Sequence, residues 1–284
     1  YLKKNKIDIV HAHMTLANFI PLMAAKFANV PIRICHSHSC NNGDISLLKK
    51  NINNQLKKIC MKYSTDNLAC GLRAGQYMYG NFEYKLIPNA IRIDKYSYSL
   101  TNRNKIRSLY KISDNCILIG HVGSFSKTKN HYFMIDLIKS LPEDKYKIMF
   151  VGDGKMFSQI KNKVKDENLD KKIIFAGIVD NPEVYYSAFD LFILPSLWEG
   201  LPMVCIEAQA NGVYCIISNN VDNSCKINKN VKFLNLDTNE WKKHIGSLDE
   251  KSLKRIKKNA IHDSYYNIEK SANELEKIYD KEVL

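Results

Sequence analysis

The chain has 284 residues, 45% of them apolar, and carries a formal net charge of +13. That length and composition suit one large or two small globular domains with a sizeable core, and no apolar run approaches the ~18 residues of a membrane-spanning helix. Residues 1–87 hold ten Lys and two Arg against three Asp and one Glu, so +8 of the charge lies in the first third. A basic region suits an acidic partner such as an anionic membrane surface, or it is simply a solvated lysine-rich face. No zinc-knuckle, aromatic RNA-binding or helix-turn-helix pattern supports nucleic acid. Eight cysteines are scattered without a C-x-x-C pair, which is the usage of reduced, mostly buried thiols and provides no metal site.

In chain order, residues 7–13 (IDIVHAH) read as a buried strand, 17–29 as a helix, 32–38 (IRICHSH) as a second strand and 46–63 as a long helix. Short strands follow at 67–71 and 85–89, and the polar stretch 89–100 marks a seam. A second series then begins: strands at 116–123, 146–154, 172–177, 191–196, 214–218 and 231–235, with helices at 131–141 and from about 155 to 167. A helix opens with Pro202 at its first position and is capped by Gly212, and a tail helix runs from about 264 to 279. Apolar runs alternating with helices predict α/β architecture with parallel sheets. The expected division is 1–90, 91–262 and a terminal helical segment 263–284. Only four strands precede the seam, so the first domain is expected to be incomplete by two or three βα units, roughly 60–90 residues.

The richest stretch is Asp190–Asn211, where an apolar strand runs into a polar loop and then a helix, with Glu199 and Glu207 on either side of the helix start. Exposed amides and the helix dipole at such a junction favour an anion, and the carboxyl ends of strands are where open α/β sheets bind ligands. The spacing of the two glutamates is itself uninformative: Glu274 and Glu282, eight apart in the tail, repeat it on what reads as a solvated face. His11 and His13, like His36 and His38, end strands as H-x-H, and alternate strand residues share a face. No nearby acidic or thiol ligand completes a metal site, and no metal is expected.

EGLPMVCIE resembles the E-x7-E signature of retaining glycosyltransferases of the GT-B fold, glycosyltransferase family 4. LIPNAI is similar to the family's IPNGI hinge, HVGSFSKTKNH to its G-R-F-x-x-x-K-N loop and VGDGK to its post-strand turn; IDIVHAHM and RICHSHS resemble strands of its acceptor domain. The likeness is greatest to the capsular and exopolysaccharide branch. It implies two Rossmann-like doubly wound domains facing a cleft, and metal-independent transfer of a sugar from a nucleotide-sugar, a UDP-sugar first, to a glycan or lipid-linked acceptor. The absence of any D-x-D agrees with an anion site built from amides and basic side chains.

By this resemblance Glu207 accepts ribose hydroxyls, Glu199 contacts the donor sugar, and Gly200, Leu201 and the amides of Met203 and Val204 cradle phosphate and sugar. Lys129 serves the diphosphate from the loop containing Gly123 and Ser124; Ser124 stands where the family has Arg, and Ala90 replaces the hinge glycine. His38, with His36 as second choice, orients a donor hydroxyl. Gly152 and Gly154 form either a plain turn or one admitting a base, while Phe125, Trp198 and Cys205 read first as packing residues. Two alternatives stay open: a sugar-nucleotide epimerase on the same scaffold, and a non-catalytic nucleotide-sugar binder. The implied location is the cytoplasm, with peripheral contact to the inner membrane face.

Overall fold

The computed structural model describes residues 1–38, 46–199, 201–256 and 259–280. It divides into two units, Tyr1–Ala90 together with the chain from Ile268 onward, and Ile91–Asn267.

The first unit is built on four parallel strands in the order β1 (Ile9–Ala12), β2 (Ile32–Ser37), β3 (Asp66–Ala69) and β4 (Lys85–Leu86). Parallel strands bury both faces, and β2 accordingly has Ile32, Ile34 and Cys35 fully enclosed. Ser46 caps the long helix Leu47–Tyr63 by accepting from the Lys49 amide. The tail helix begins at Ile268, later than expected, and does not stand apart: Leu275, Ile278 and Tyr279 pack with Ile9, Ile32, Ile34 and Leu68.

The second unit carries β5 (Ile117–Val122), β6 (Tyr146–Val151), β7 (Ile173–Gly177), β8 (Leu191–Leu194), β9 (Tyr214–Ser218) and β10 (Val231–Leu234). They form one parallel sheet in the order β10-β9-β8-β5-β6-β7. Counted within the unit this is the doubly wound order, reversing direction between its first and fourth strands, and ligands bind at the carboxyl ends on that switch point. Here the switch lies between β5 and β8.

The Asn89–Leu100 seam, read as an irregular connection, contains the short helix Ile93–Tyr96 and runs into the helix Leu100–Leu109. Buried Ile93 and Ile106 give these polar segments an apolar side, and the Ser99 hydroxyl caps the second helix at the Asn102 amide. Helices Leu72–Tyr79, Glu183–Ala188 and Thr238–Gly246 were also not legible from apolar spacing. Pro202 sits at the N-cap with extended backbone (φ −77°, ψ 108°), one position before its expected place, and the helix proper is Met203–Asn211. Gly212 closes that helix in the left-handed conformation, as expected (φ 78°).

Candidate active site

Asp190 fixes the switch point. One carboxylate oxygen accepts from Arg103 at 2.7 Å; the other accepts from Arg107 at 2.9 Å and from the Leu118 amide at 2.8 Å. Its own amide donates to the Leu118 carbonyl at 2.8 Å. This partly buried ionic clasp locks the start of β8 to β5, so the loops leaving their carboxyl ends emerge side by side. The Leu197 amide then donates to the Thr128 carbonyl at 2.8 Å, joining one loop to the other.

Across this junction Lys129 Nζ lies 2.5 Å from Glu199 Oε1, and the buried Ser196 hydroxyl donates to the same oxygen at 2.8 Å. Both members of the ion pair are 14% exposed, so it is screened far less than a surface pair. Asn130, in the left-handed conformation at φ 56°, turns the chain from this lysine into the helix His131–Ser140.

Gly154 is held by contact. A Cβ there would lie 2.6 Å from both the N and the O of Phe125, the residue whose amide donates to Asp153 O at 2.9 Å. This close backbone approach binds the loop after β6 to the loop after β5 and supports the plain-turn reading of the glycine. Gly123 faces the Lys129 side chain, 3.1 Å from where its Cβ would stand. Ser124 is exposed, and its hydroxyl donates to Ser126 at 3.4 Å. Phe125 is buried as expected, whereas Trp198 is 45% exposed and is not a core residue.

The helix Met203–Asn211 begins without a side-chain cap, which leaves its first turn suited to an anion. Leu201, Met203 and Val204 are partly buried against the core, Cys205 is fully buried, and Gly200 lies outside the described residues. Glu207 accepts from the Tyr186 hydroxyl at 2.7 Å and also hydrogen-bonds Tyr96. Burial pushes its carboxyl up, the two phenols pull it down, Glu183 adds to the rise and Lys129 opposes it. Lys129 is thus felt by both glutamates.

Four side chains that complete this arrangement were not anticipated. Ser196 precedes the motif loop, and a serine there carries no distinctive signal. Tyr96 and Tyr186 are remote in sequence from Glu207. His121 is fully buried, with its Nδ1–H donating to Ile193 O at 3.0 Å. That bond fixes the tautomer, and burial together with neighbouring His131 holds the ring well below the usual histidine range.

In the first unit, four histidines meet at the carboxyl ends of β1 and β2. His11 Nε2 is 3.1 Å from His36 Nδ1, and His13 Nδ1 is 2.7 Å from His38 Nε2; the His11 and His13 rings stack at 4.1 Å. Tyr279 closes the set on His11 Nδ1 at 2.8 Å. Burial, followed by the neighbouring imidazoles, lowers His11 to about 4 and His36 to about 3, so the cluster is neutral at pH 7. His36 is buried, whereas His38 is half-buried. Ligand atoms of His11, His13 and His36 lie within 4.8 Å of one another, close enough to hold a metal ion. The chemistry of the set is equally that of neutral donors and acceptors for hydroxyl groups. The described cysteines are all free and buried; Cys40 lies outside the described residues.

Residues 102–263 match the family described as Glycosyl transferases group 1. EpsF of Bacillus subtilis is 31% identical over 78% of this chain, and the alignment spans 60% of that relative. The Escherichia coli UDP-Gal:alpha-D-GlcNAc-diphosphoundecaprenol alpha-1,3-galactosyltransferase is 25% identical over 98% of the chain and 76% of its own length. The Staphylococcus aureus capsular polysaccharide biosynthesis glycosyltransferase CapH is 29% identical over 100% of the chain and 79% of its own. Among solved structures, Anabaena HepE in complex with UDP and glucose superposes with a TM-score of 0.82 at 16% identity, covering 98% of this chain and 80% of that one. The two parallel sheets are those of the GT-B fold, and the chain belongs to the group 1 glycosyl transferase family.

Proposed function

We propose that the protein transfers a sugar from a nucleotide-sugar, preferentially a UDP-sugar, to a glycan or lipid-linked acceptor in surface-polysaccharide synthesis, with retention at the anomeric carbon and without a metal. The observation that carries this reading is the Lys129–Glu199 pair spanning the β5–β8 switch point beside an uncapped helix start. A diphosphate leaving group gathers negative charge as its bond to the sugar breaks. A lysine and first-turn amides stabilise that charge without needing an ion. In this reading Lys129 and the amides of Met203 and Val204 take the diphosphate, Glu199 the sugar hydroxyls and Glu207 the ribose. Gly123, Ser124, Gly154, Gly200 and Leu201 shape the loops around them. The acceptor oxygen bonds to the anomeric carbon on the face the phosphate leaves, and its proton passes to the departing phosphate oxygen.

The activity for which the E. coli relative is named and the UDP bound in HepE support the choice of donor and of a lipid-linked acceptor. In the first unit His38 is half-buried and His36 is enclosed, and this difference in access supports His38 over His36 as the histidine that serves a sugar hydroxyl. Among the described residues no helix is long and apolar enough to cross a membrane. The helix Leu47–Tyr63 does expose Leu47, Leu48 and Ile52 beside Lys49 and Lys50, which supports peripheral contact with an anionic surface.

The test is incubation of the protein with nucleotide-sugars in the presence of EDTA, with the anomer of the released or transferred sugar read by NMR before mutarotation. Retention with undiminished rate is expected. Inversion or loss of activity on chelation overturns the mechanism, and an epimerised nucleotide-sugar replaces the reading with the epimerase.

A further inference from the structure

Glu207 is held from the protein side by two phenols that come from different elements. The Tyr186 ring is fully buried and packs against Phe189 and Phe192 with centroids 5.8 Å away, so its hydroxyl has one place to be, 2.7 Å from Glu207 Oε2. Tyr96 lies edge-on to Tyr186 at 5.9 Å and hydrogen-bonds the same carboxylate. Its backbone carbonyl accepts from Asn211 Nδ2 at 2.9 Å, tying it to the far end of the helix that carries Glu207.

A carboxylate offers about four lone-pair directions. Two are taken by phenols, and the rest accept from whatever occupies the site. We propose that Tyr96 and Tyr186 are positioning residues that fix Glu207 as the acceptor for the paired hydroxyls of a ribose, so that the site selects ribonucleotides over 2′-deoxyribonucleotides. The inference rests on the nucleotide-sugar reading above. Its physical basis is an asymmetry: a site built to receive a hydroxyl rejects the analogue lacking it, because a partly buried acceptor is then left unpaired. That penalty requires a carboxylate that cannot swing away. Both phenols donate, which favours the ionised, accepting form of Glu207 and opposes in part the rise that burial imposes on its carboxyl.

The experiment is calorimetric titration of the protein with UDP, GDP, CDP and ADP, followed by the 2′-deoxy form of whichever binds most tightly. It is repeated on Tyr186→Phe and Tyr96→Phe, with thermal unfolding to establish that each variant is folded. The wild type is expected to favour the ribonucleotide by about tenfold or more, and each variant to reduce that ratio to about threefold or less. A merely structural defect would weaken both nucleotides alike and leave the ratio intact. If Tyr186→Phe does not fold, the half-buried Tyr96 supplies the decision. Binding with preserved discrimination in the folded variants, or no discrimination in the wild type, overturns this inference while leaving the donor site standing. Failure of the wild type to bind any of the four overturns both.

Discussion

Replacing Glu199 by Gln separates the two partners of Lys129. The lysine is neutralised by Glu199 at 2.5 Å, with both side chains largely enclosed. A diphosphate arriving at the same lysine must compete with that carboxylate and is also repelled by it. One negative charge ~6 Å from another is worth ~3 kcal/mol at an effective dielectric of ~20, before ionic screening reduces it. Even half of that is a tenfold change in affinity. Glu199→Gln, which keeps an oxygen for the Ser196 hydroxyl, is therefore expected to bind a nucleoside diphosphate about tenfold more tightly while losing turnover with the intact sugar donor. Calorimetry with UDP, alongside a transfer or hydrolysis assay, measures the two effects. Unchanged or weaker UDP binding in the variant would refute the placement of the diphosphate on Lys129.

Other perturbations test the frame around the site. Asp190→Ala leaves the 4%-exposed side chain of Arg107 without its carboxylate and should cost about 3–5 kcal/mol in urea unfolding. Gly154→Ala places a methyl group against the Phe125 backbone; it should destabilise by about 1–3 kcal/mol and weaken nucleotide binding as the two loops part. The histidine cluster predicts a pH dependence with a definite sign. His36 titrates at about 3 in the fold against 6.5 for a free histidine, so the unfolded chain binds the extra proton and stability falls as pH drops from about 6.5 towards 3. At ~1.4 kcal/mol per unit the full contribution is about 5 kcal/mol, and His36→Gln should flatten the Tm profile across that interval.

The apolar runs of both sheets and the strand–Glu–Gly–Leu–Pro–helix order were legible because a buried parallel strand and an uncapped helix start are local patterns. Glu274 shows why spacing alone was not enough. It pairs with Lys85 and Lys277 on the surface, and its counterpart Glu282 lies outside the described residues. The partners that give Glu199 and Glu207 their chemistry arrive from distant parts of the chain, and only the strand order brings them in. Lys129 was singled out by its loop, but its pairing with Glu199 depends on β5 lying beside β8. The same holds for the histidines. Alternation placed each pair on one face, whereas the contacts of His11 with His36 and of His13 with His38 follow from the parallel register of β1 on β2. The short helices at the seam escaped because their apolar side is only one or two residues deep.

The most direct test of the donor site is a thermal-shift panel of nucleotide-sugars on the wild type and on Lys129→Met. At saturating concentration at least one donor should raise the Tm by several degrees, as binding to the native state requires, and the Lys129→Met variant should lose that shift. A wild type whose Tm no nucleotide-sugar moves would contradict the account.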